Sequence, residues 1–245
     1  MLEKATYQIF HTDTGNKERN DIYRNLVRQV SFMPSLESET YYFDTFDKAD
    51  AFSKKNKKFK VKTIEGFDAI GQTFPSNSGI LGIWAGTYMA YKKFLKTDKE
   101  FLFVLQDDIE LSPNFKGVMD AYMRELPGGW EVFSPFVPSD SLFAYKENVH
   151  GLPNKTFVCK SYQQWSTCCY VVSRVGAKKV IEDIEANGVT APDDWYLFNF
   201  RMKPEFLTIT FDTYTVKPAI YKPIKLVDSA ASISTVLTMD QRPRD

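Results

Sequence analysis

The chain has 245 residues, 43% of them apolar and 25% charged, with 31 Lys plus Arg against 31 Asp plus Glu. That length suits one large α/β domain or two small ones, with roughly 70% or more of the unfolded surface open to burial. A neutral chain has no global field to draw nucleic acid or an anionic membrane, so nucleic-acid binding is not expected and an anionic ligand must be held by local charge or by a metal.

In chain order, residues 6–10 read as a first strand and HTDTGNKERN as a polar loop. Ile22, Leu26 and Val30 recur every four residues and predict a helix over 20–30. Residues 41–43 read as a short strand and 44–56 as a helix, with Phe46, Ala49 and Phe52 on one face. The lysines from Lys54 to Lys60 suit that helix's solvated carboxyl end. Residues 59–64 alternate as a strand with one wet face.

A Gly/Pro/Ser/Asn loop over 71–79 leads into a helix over 80–95, striped by Leu81, Trp84, Tyr88, Tyr91 and Leu95. The run FLFVL at 101–105 reads as a strand covered on both faces. Ser112 and Pro113 open a further helix, as N-cap and first helical residue, which Pro127-Gly128-Gly129 stops. Residues 131–133 form a strand, and 135–155 a long irregular segment suited to a binding or lid role. Residues 168–172 read as a buried strand, followed by a helix over 174–186 capped by Ser173 and closed by Asn187-Gly188. A short helix over 192–200 and a hairpin of 206–211 with 214–216 complete the pattern.

Strands alternating with helices predict a mostly parallel sheet flanked by helices, an α/β fold in a single domain over 1–225 with a C-terminal tail over 226–245. Cys159, Cys168 and Cys169 are odd in number, two of them adjacent, so they suggest packing in a reducing compartment rather than a disulfide framework or a zinc site. No apolar run approaches the ~20 residues of a membrane span, and residues 1–9 lack the apolar stretch of a signal peptide. A cytoplasmic location is therefore expected.

The strongest chemical signal is Gln106-Asp107-Asp108-Ile109-Glu110. An apolar strand delivers these acids to the carboxyl edge of a sheet, where open α/β sheets bind ligands. Alternation turns Gln106, Asp108 and Glu110 to one side and Asp107 to the other. Adjacent carboxylates repel unless a cation or strong donors neutralise them, and a hard ion such as Mn²⁺ or Mg²⁺ takes oxygen ligands and bridges carboxylates to a diphosphate. The plain alternative is that Asp107 and Asp108 cap a turn.

Three segments then resemble glycosyltransferase family 25, the group of lipooligosaccharide and collagen galactosyltransferase domains. SNSGILGIWAGTYMAYKKFL is similar to that family's Gly-x-x-Gly helix, FLFVLQDDIEL to its Leu-Glu-Asp-Asp segment, and STCCYVVSRVGAKKVIE with APDDWYLFN to its Tyr-Val-x-Ser-x-x-Gly-Ala strand and helix with the following Asp-Trp. The resemblance covers roughly residues 60–200. It implies a GT-A type, Rossmann-like fold and a hexosyltransferase. The donor would be a nucleoside-diphosphate sugar, the cofactor Mn²⁺ or Mg²⁺, the acceptor a glycan or other hydroxyl, and the outcome inversion at the anomeric carbon. The chain departs from the family at Gln106, where the first acid stands, and at Ala85-Gly86, where the family has Ser-His.

Under this resemblance Asp108 is the first candidate metal ligand, with Asp107 and Glu110 beside it. Asp107 could bind the ribose instead. Gly79, Gly82, Gln106 and Asp107 are the donor-binding candidates, the glycines serving either close donor approach or tight helix packing. Inversion needs a base to take the acceptor proton; Asp194 is the candidate and Asp193 its substitute, although both also suit a helix start. Trp195 would stack on a sugar or fill core. Lys160, Arg174 and Lys222 are possible diphosphate partners, and His11 and His150 read as inert loop histidines, with a metal or phosphate role the alternative for His150. A non-catalytic nucleotide- or carbohydrate-binding module on the same fold is the alternative. A nucleotidyltransferase or phosphoesterase would need more metal-ligating acids or histidines than the chain shows.

Overall fold

The apolar run at 101–105 forms the strand it predicts. This is β2 (Phe101–Gln106), buried along its length and only half-buried at Gln106. The computed structural model describes residues 1–13, 15–64, 73, 75, 77–135, 149–151, 157–161, 168–189, 213–216 and 227–229, with 149–151, 159–161, 213–216 and 227–229 described as backbone strands. Beside β2 lies β1 (Ala5–Phe10), parallel and in register from Ala5↔Phe101 to Phe10↔Gln106. The other strands are β3 (Ile109–Leu111), β4 (Val132–Ser134), β5 (Val149–Gly151), β6 (Val158–Ser161), β7 (Cys169–Ser173), β8 (Thr213–Val216) and β9 (Val227–Ser229). Among the described residues the α-helices are α1 (Lys17–Gln29), α2 (Phe46–Lys55), α3 (Ser78–Phe94), α4 (Phe115–Glu125) and α5 (Arg174–Asn187).

The main sheet runs β1-β2-β7-β4-β8-β6-β5, and β3 pairs with β9 in a small second sheet. The α/β class holds, but the sheet is mixed rather than mostly parallel. Among the described strands only β1–β2 and β4–β8 pair in parallel, whereas β7 is antiparallel to both β2 and β4, and β6 to both β8 and β5. A parallel neighbour requires a long crossover, usually a helix.

Alternation along β2 divides two cores. Leu102 and Val104 join Trp84, Tyr88 and Tyr91 of α3 and Val180 and Ile184 of α5 on one face. Phe101, Phe103 and Leu105 join Leu26 of α1 and Met119 and Tyr122 of α4 on the other. Each large apolar side chain so buried contributes about 1.5–3 kcal/mol. Helix packing is close enough to require glycine at two places. A Cβ on Gly82 would lie 2.6 Å from the Tyr41 carbonyl oxygen, and one on Gly176 2.6 Å from that of Glu131. Ser173 caps α5, its hydroxyl accepting from the Gly176 amide.

Several sequence expectations change. Residues 41–43 form no strand, and 59–64 supply isolated bridges at Val61, paired with Val189, and at Ile64, rather than a strand. At the β1 edge, the adjoining partner is the segment through Ser35, where the Leu36 amide donates to Tyr7. Helix α1 begins at Lys17, inside the segment read as loop, because the Asn16 side chain accepts from the Arg19 amide and caps it. Helix α4 begins at Phe115, two residues beyond Pro113. Strand β8 pairs with β4 on one side and β6 on the other. Strand β9 comes from the stretch read as a tail. Residues 206–211 and the expected helix over 192–200, with Asp193, Asp194 and Trp195, lie outside the described residues, as do Lys222 and the side chains of His150 and Lys160. Among the described residues no helix is long and apolar enough to cross a membrane.

Candidate functional site

The register of the parallel pair builds the site. Phe10 faces Gln106 at the carboxyl ends of β1 and β2, so the next residues on each strand, His11 and Asp107, leave the sheet side by side. His11 Nδ1 lies 2.6 Å from Asp107 Oδ2. Its ring stacks on Tyr23 of α1, centroids 3.8 Å apart and nearly coplanar in orientation.

Alternation past Phe103 and Leu105 carries Asp107 toward α1, whose first turn meets it. Arg19 donates from Nε to Asp107 Oδ2 at 2.9 Å and from Nη2 to Oδ1. Both partners are buried, Asp107 completely. The other end of α1 is tied to β3, just beyond the same turn: Gln29 donates to the Leu111 carbonyl at 2.7 Å and accepts from the Leu111 amide at 3.0 Å. One helix thus clamps both sides of the acidic turn.

Asp108 is equally buried, with 3% of its surface exposed, but its Oδ1 has no hydrogen-bond partner. Burial pushes its carboxyl up from the ordinary carboxylate range and the neighbouring Asp107 charge adds to this; Arg19 and the Asp108 backbone amide pull the other way. A buried acceptor left bare costs about 1–3 kcal/mol and is rare in native proteins. Glu110 projects from β3 into solvent.

The candidate residues therefore separate in space. Gln106, Asp107 and Asp108 are brought together at the tip of β2. Asp107 is engaged through both oxygens, Asp108 is bare, and Glu110 is exposed. Gly79 is half-buried in the first turn of α3, and the close approach at Gly82 is taken by the chain's own backbone at Tyr41. Gly86 lies against the Phe10 ring. Arg174 is not a diphosphate partner. It donates to the carbonyls of Leu95, Thr97 and Lys99 at the end of α3, and Ser173 beside it pairs with Phe101, at the far end of β2 from the acids. Cys168 and Cys169 are buried, and burial holds the Cys169 thiol well above its ordinary value, which leaves it a packing residue.

His11 and Arg19 are the residues that sequence reasoning missed. His11 read as an inert loop histidine and Arg19 as part of a polar loop. The available signals were the position of His11 directly after the first strand and Asn16 as a cap three residues before Arg19. Among the described residues no group of three or more His, Cys, Asp or Glu side chains could hold a metal ion. The cation fit thus rests on one residue: a buried carboxylate oxygen without a donor suits a hard cation that completes its sphere with substrate phosphates.

The model of glycosyltransferase family 25 (LPS biosynthesis protein) matches residues 16–196. A protein of Aedes aegypti named as a glycosyltransferase 25 family member is 26% identical over 208 residues, covering 83% of this chain and 33% of that protein. One of the same name from Anopheles gambiae is 20% identical over 243 residues, covering 95% and 40%. The chain thus spans between a third and two fifths of the length of these curated relatives. Among solved structures, A197 from STIV is 17% identical with a TM-score of 0.32, over 54% of this chain and 62% of that one.

Proposed function

The chain belongs to glycosyltransferase family 25, and from that premise we propose that it moves a hexosyl group from a nucleoside-diphosphate sugar to a hydroxyl of a glycan or other acceptor, with inversion. The observation that supports this most directly is the bare, buried oxygen of Asp108 where β1 and β2 end side by side. Asp108 would hold Mn²⁺ or Mg²⁺ together with the donor diphosphate. A divalent cation there supplies Lewis-acid neutralisation of charge on the departing diphosphate.

The chain's own groups do the rest. Asp107, locked by Arg19 and His11, fixes the turn that carries Asp108. Gln106 offers the donor a neutral amide where the family has an acid, and Gly79 lets it approach the start of α3. Asp194, with Asp193 beside it, takes the acceptor hydroxyl proton as that oxygen attacks; both lie within the matched residues.

Gln106 also favours a second reading, a non-catalytic nucleotide- or carbohydrate-binding module, because it removes one charge from the acidic segment. A donor-hydrolysis panel of nucleotide-sugars, with and without Mn²⁺, separates the two. Mn²⁺-dependent hydrolysis of one donor is the expected result. Binding of a donor with no hydrolysis or transfer under any condition supports the module instead.

A further inference from the structure

Arg19 is 6% exposed and sits in the first turn of α1. That is a doubly costly place for a cation, since burial strips its water and the positive end of the helix dipole repels it. The fork of Nε and Nη2 onto the two oxygens of Asp107 offsets both penalties. The same fork, with His11 Nδ1 at 2.6 Å from Oδ2, leaves Asp107 with its charge neutralised and both oxygens engaged. One residue on, Asp108 Oδ1 is buried and has no partner.

We propose that Arg19 is a positioning residue that withdraws Asp107 from the cation, so that the turn presents one carboxylate, Asp108, to the metal-bound donor. This rests on the acidic turn holding a cation, as proposed above. A site with a single available carboxylate binds the bare ion weakly and needs the donor phosphates to complete it. Reciprocity then makes cation and nucleotide strengthen each other's binding, and they enter and leave together. Without Arg19, the Asp107 charge beside Asp108 would no longer be neutralised, and a divalent ion would bind more tightly on its own.

The test is Mn²⁺ alone, titrated into the purified protein with free Mn²⁺ followed by electron paramagnetic resonance. Arg19→Met is expected to bind Mn²⁺ about tenfold more tightly than the wild type, because the Asp107 charge beside the ion is no longer neutralised. The gain should vanish in Arg19→Met/Asp107→Asn, and Arg19→Lys, which keeps the charge, should stay near the wild type. A purely structural role for Arg19 predicts no gain in any variant. Should circular dichroism show Arg19→Met unfolded, Arg19→Gln, which is polar but likewise removes the charge, is read in its place. Affinity no tighter than the wild type in the folded variant overturns the proposal. If wild-type binding is nonetheless lost in Asp108→Asn, only the role of Arg19 falls; absence of Mn²⁺ binding in every variant removes the cation site as well.

Discussion

Arg19 holds Asp107 through both carboxylate oxygens, joining the first turn of α1 to the turn that ends β2. Asp108, the next residue, is as deeply buried and has an oxygen with no partner. The first carboxylate is an anchor and the second keeps a bare oxygen. Environment, not residue type, separates the two roles.

The bare oxygen makes Asp108 costly to the fold. Asp108→Asn removes a buried charge while preserving shape, and should stabilise the protein without divalent ions by about 1–2 kcal/mol. At this chain length that is a rise of roughly 2–6 °C in melting temperature. Thermal melts at neutral pH in the presence of a chelator check it; an unchanged or lower midpoint would mean that Asp108 is satisfied in the free protein.

Gly82 and Gly176 are packing positions. A Cβ at either would meet backbone carbonyl oxygen at 2.6 Å, and backbone cannot swing aside as a side-chain tip can. Gly82→Ala and Gly176→Ala should each cost about 1–3 kcal/mol in urea unfolding. A loss well below 1 kcal/mol would show that these helices can draw back from their neighbours.

Much of this was legible beforehand. Strands β1, β2 and β7 and helices α3 and α5 carry strong local signals: continuous apolar runs, a wide apolar stripe on α3, and Ser173 as a cap. The acidic turn was legible because an apolar strand ends in acids. The short strands β3, β6 and β9 were not, since three or four residues carry too little periodicity and their pairing is set by distant chain. The direction of β7 is equally a tertiary fact. Arg19 escaped because α1 starts three residues before the predicted boundary, and those residues move it from a loop onto the helix face that meets Asp107.

Helices α3 and α5 are also joined by a pH-dependent contact. The Tyr88 hydroxyl donates to Glu185 at 2.8 Å, and Lys58 lies 3.3 Å from the same carboxylate. Burial pushes the Glu185 carboxyl up, but the Tyr88 and Lys58 contacts outweigh it and hold it below its ordinary value. The folded state therefore gives up this proton more readily than the unfolded chain. The resulting stability is fully present above the ordinary glutamate value and is lost as pH falls through the lowered one. Glu185→Gln should lose about 0.5–1 kcal/mol at neutral pH, and the difference should close in acid. Urea melts at both pH values decide it; an equal gap at both would exclude ionisation as the cause.

Asp194→Asn should lower kcat by about 10²–10⁴ while leaving the affinity for donor and Mn²⁺ unchanged, and Asp193→Asn should have the smaller effect. Single-turnover transfer to an acceptor separates these quantities. A matching loss of donor affinity would place Asp194 in the donor site rather than at the acceptor hydroxyl.

The decisive measurement is Mn²⁺-dependent donor turnover in the wild type, Asp108→Asn and Glu110→Gln, with the fold of each checked by circular dichroism. The bare oxygen of Asp108 predicts that its substitution abolishes at least about 99% of the Mn²⁺-dependent rate, a barrier increase within what loss of a catalytic cation costs. Glu110→Gln, on the solvent side of β3, should stay within a few-fold of the wild type. Asp108→Asn turning over the donor at the wild-type rate would contradict the assignment of the cation to this turn.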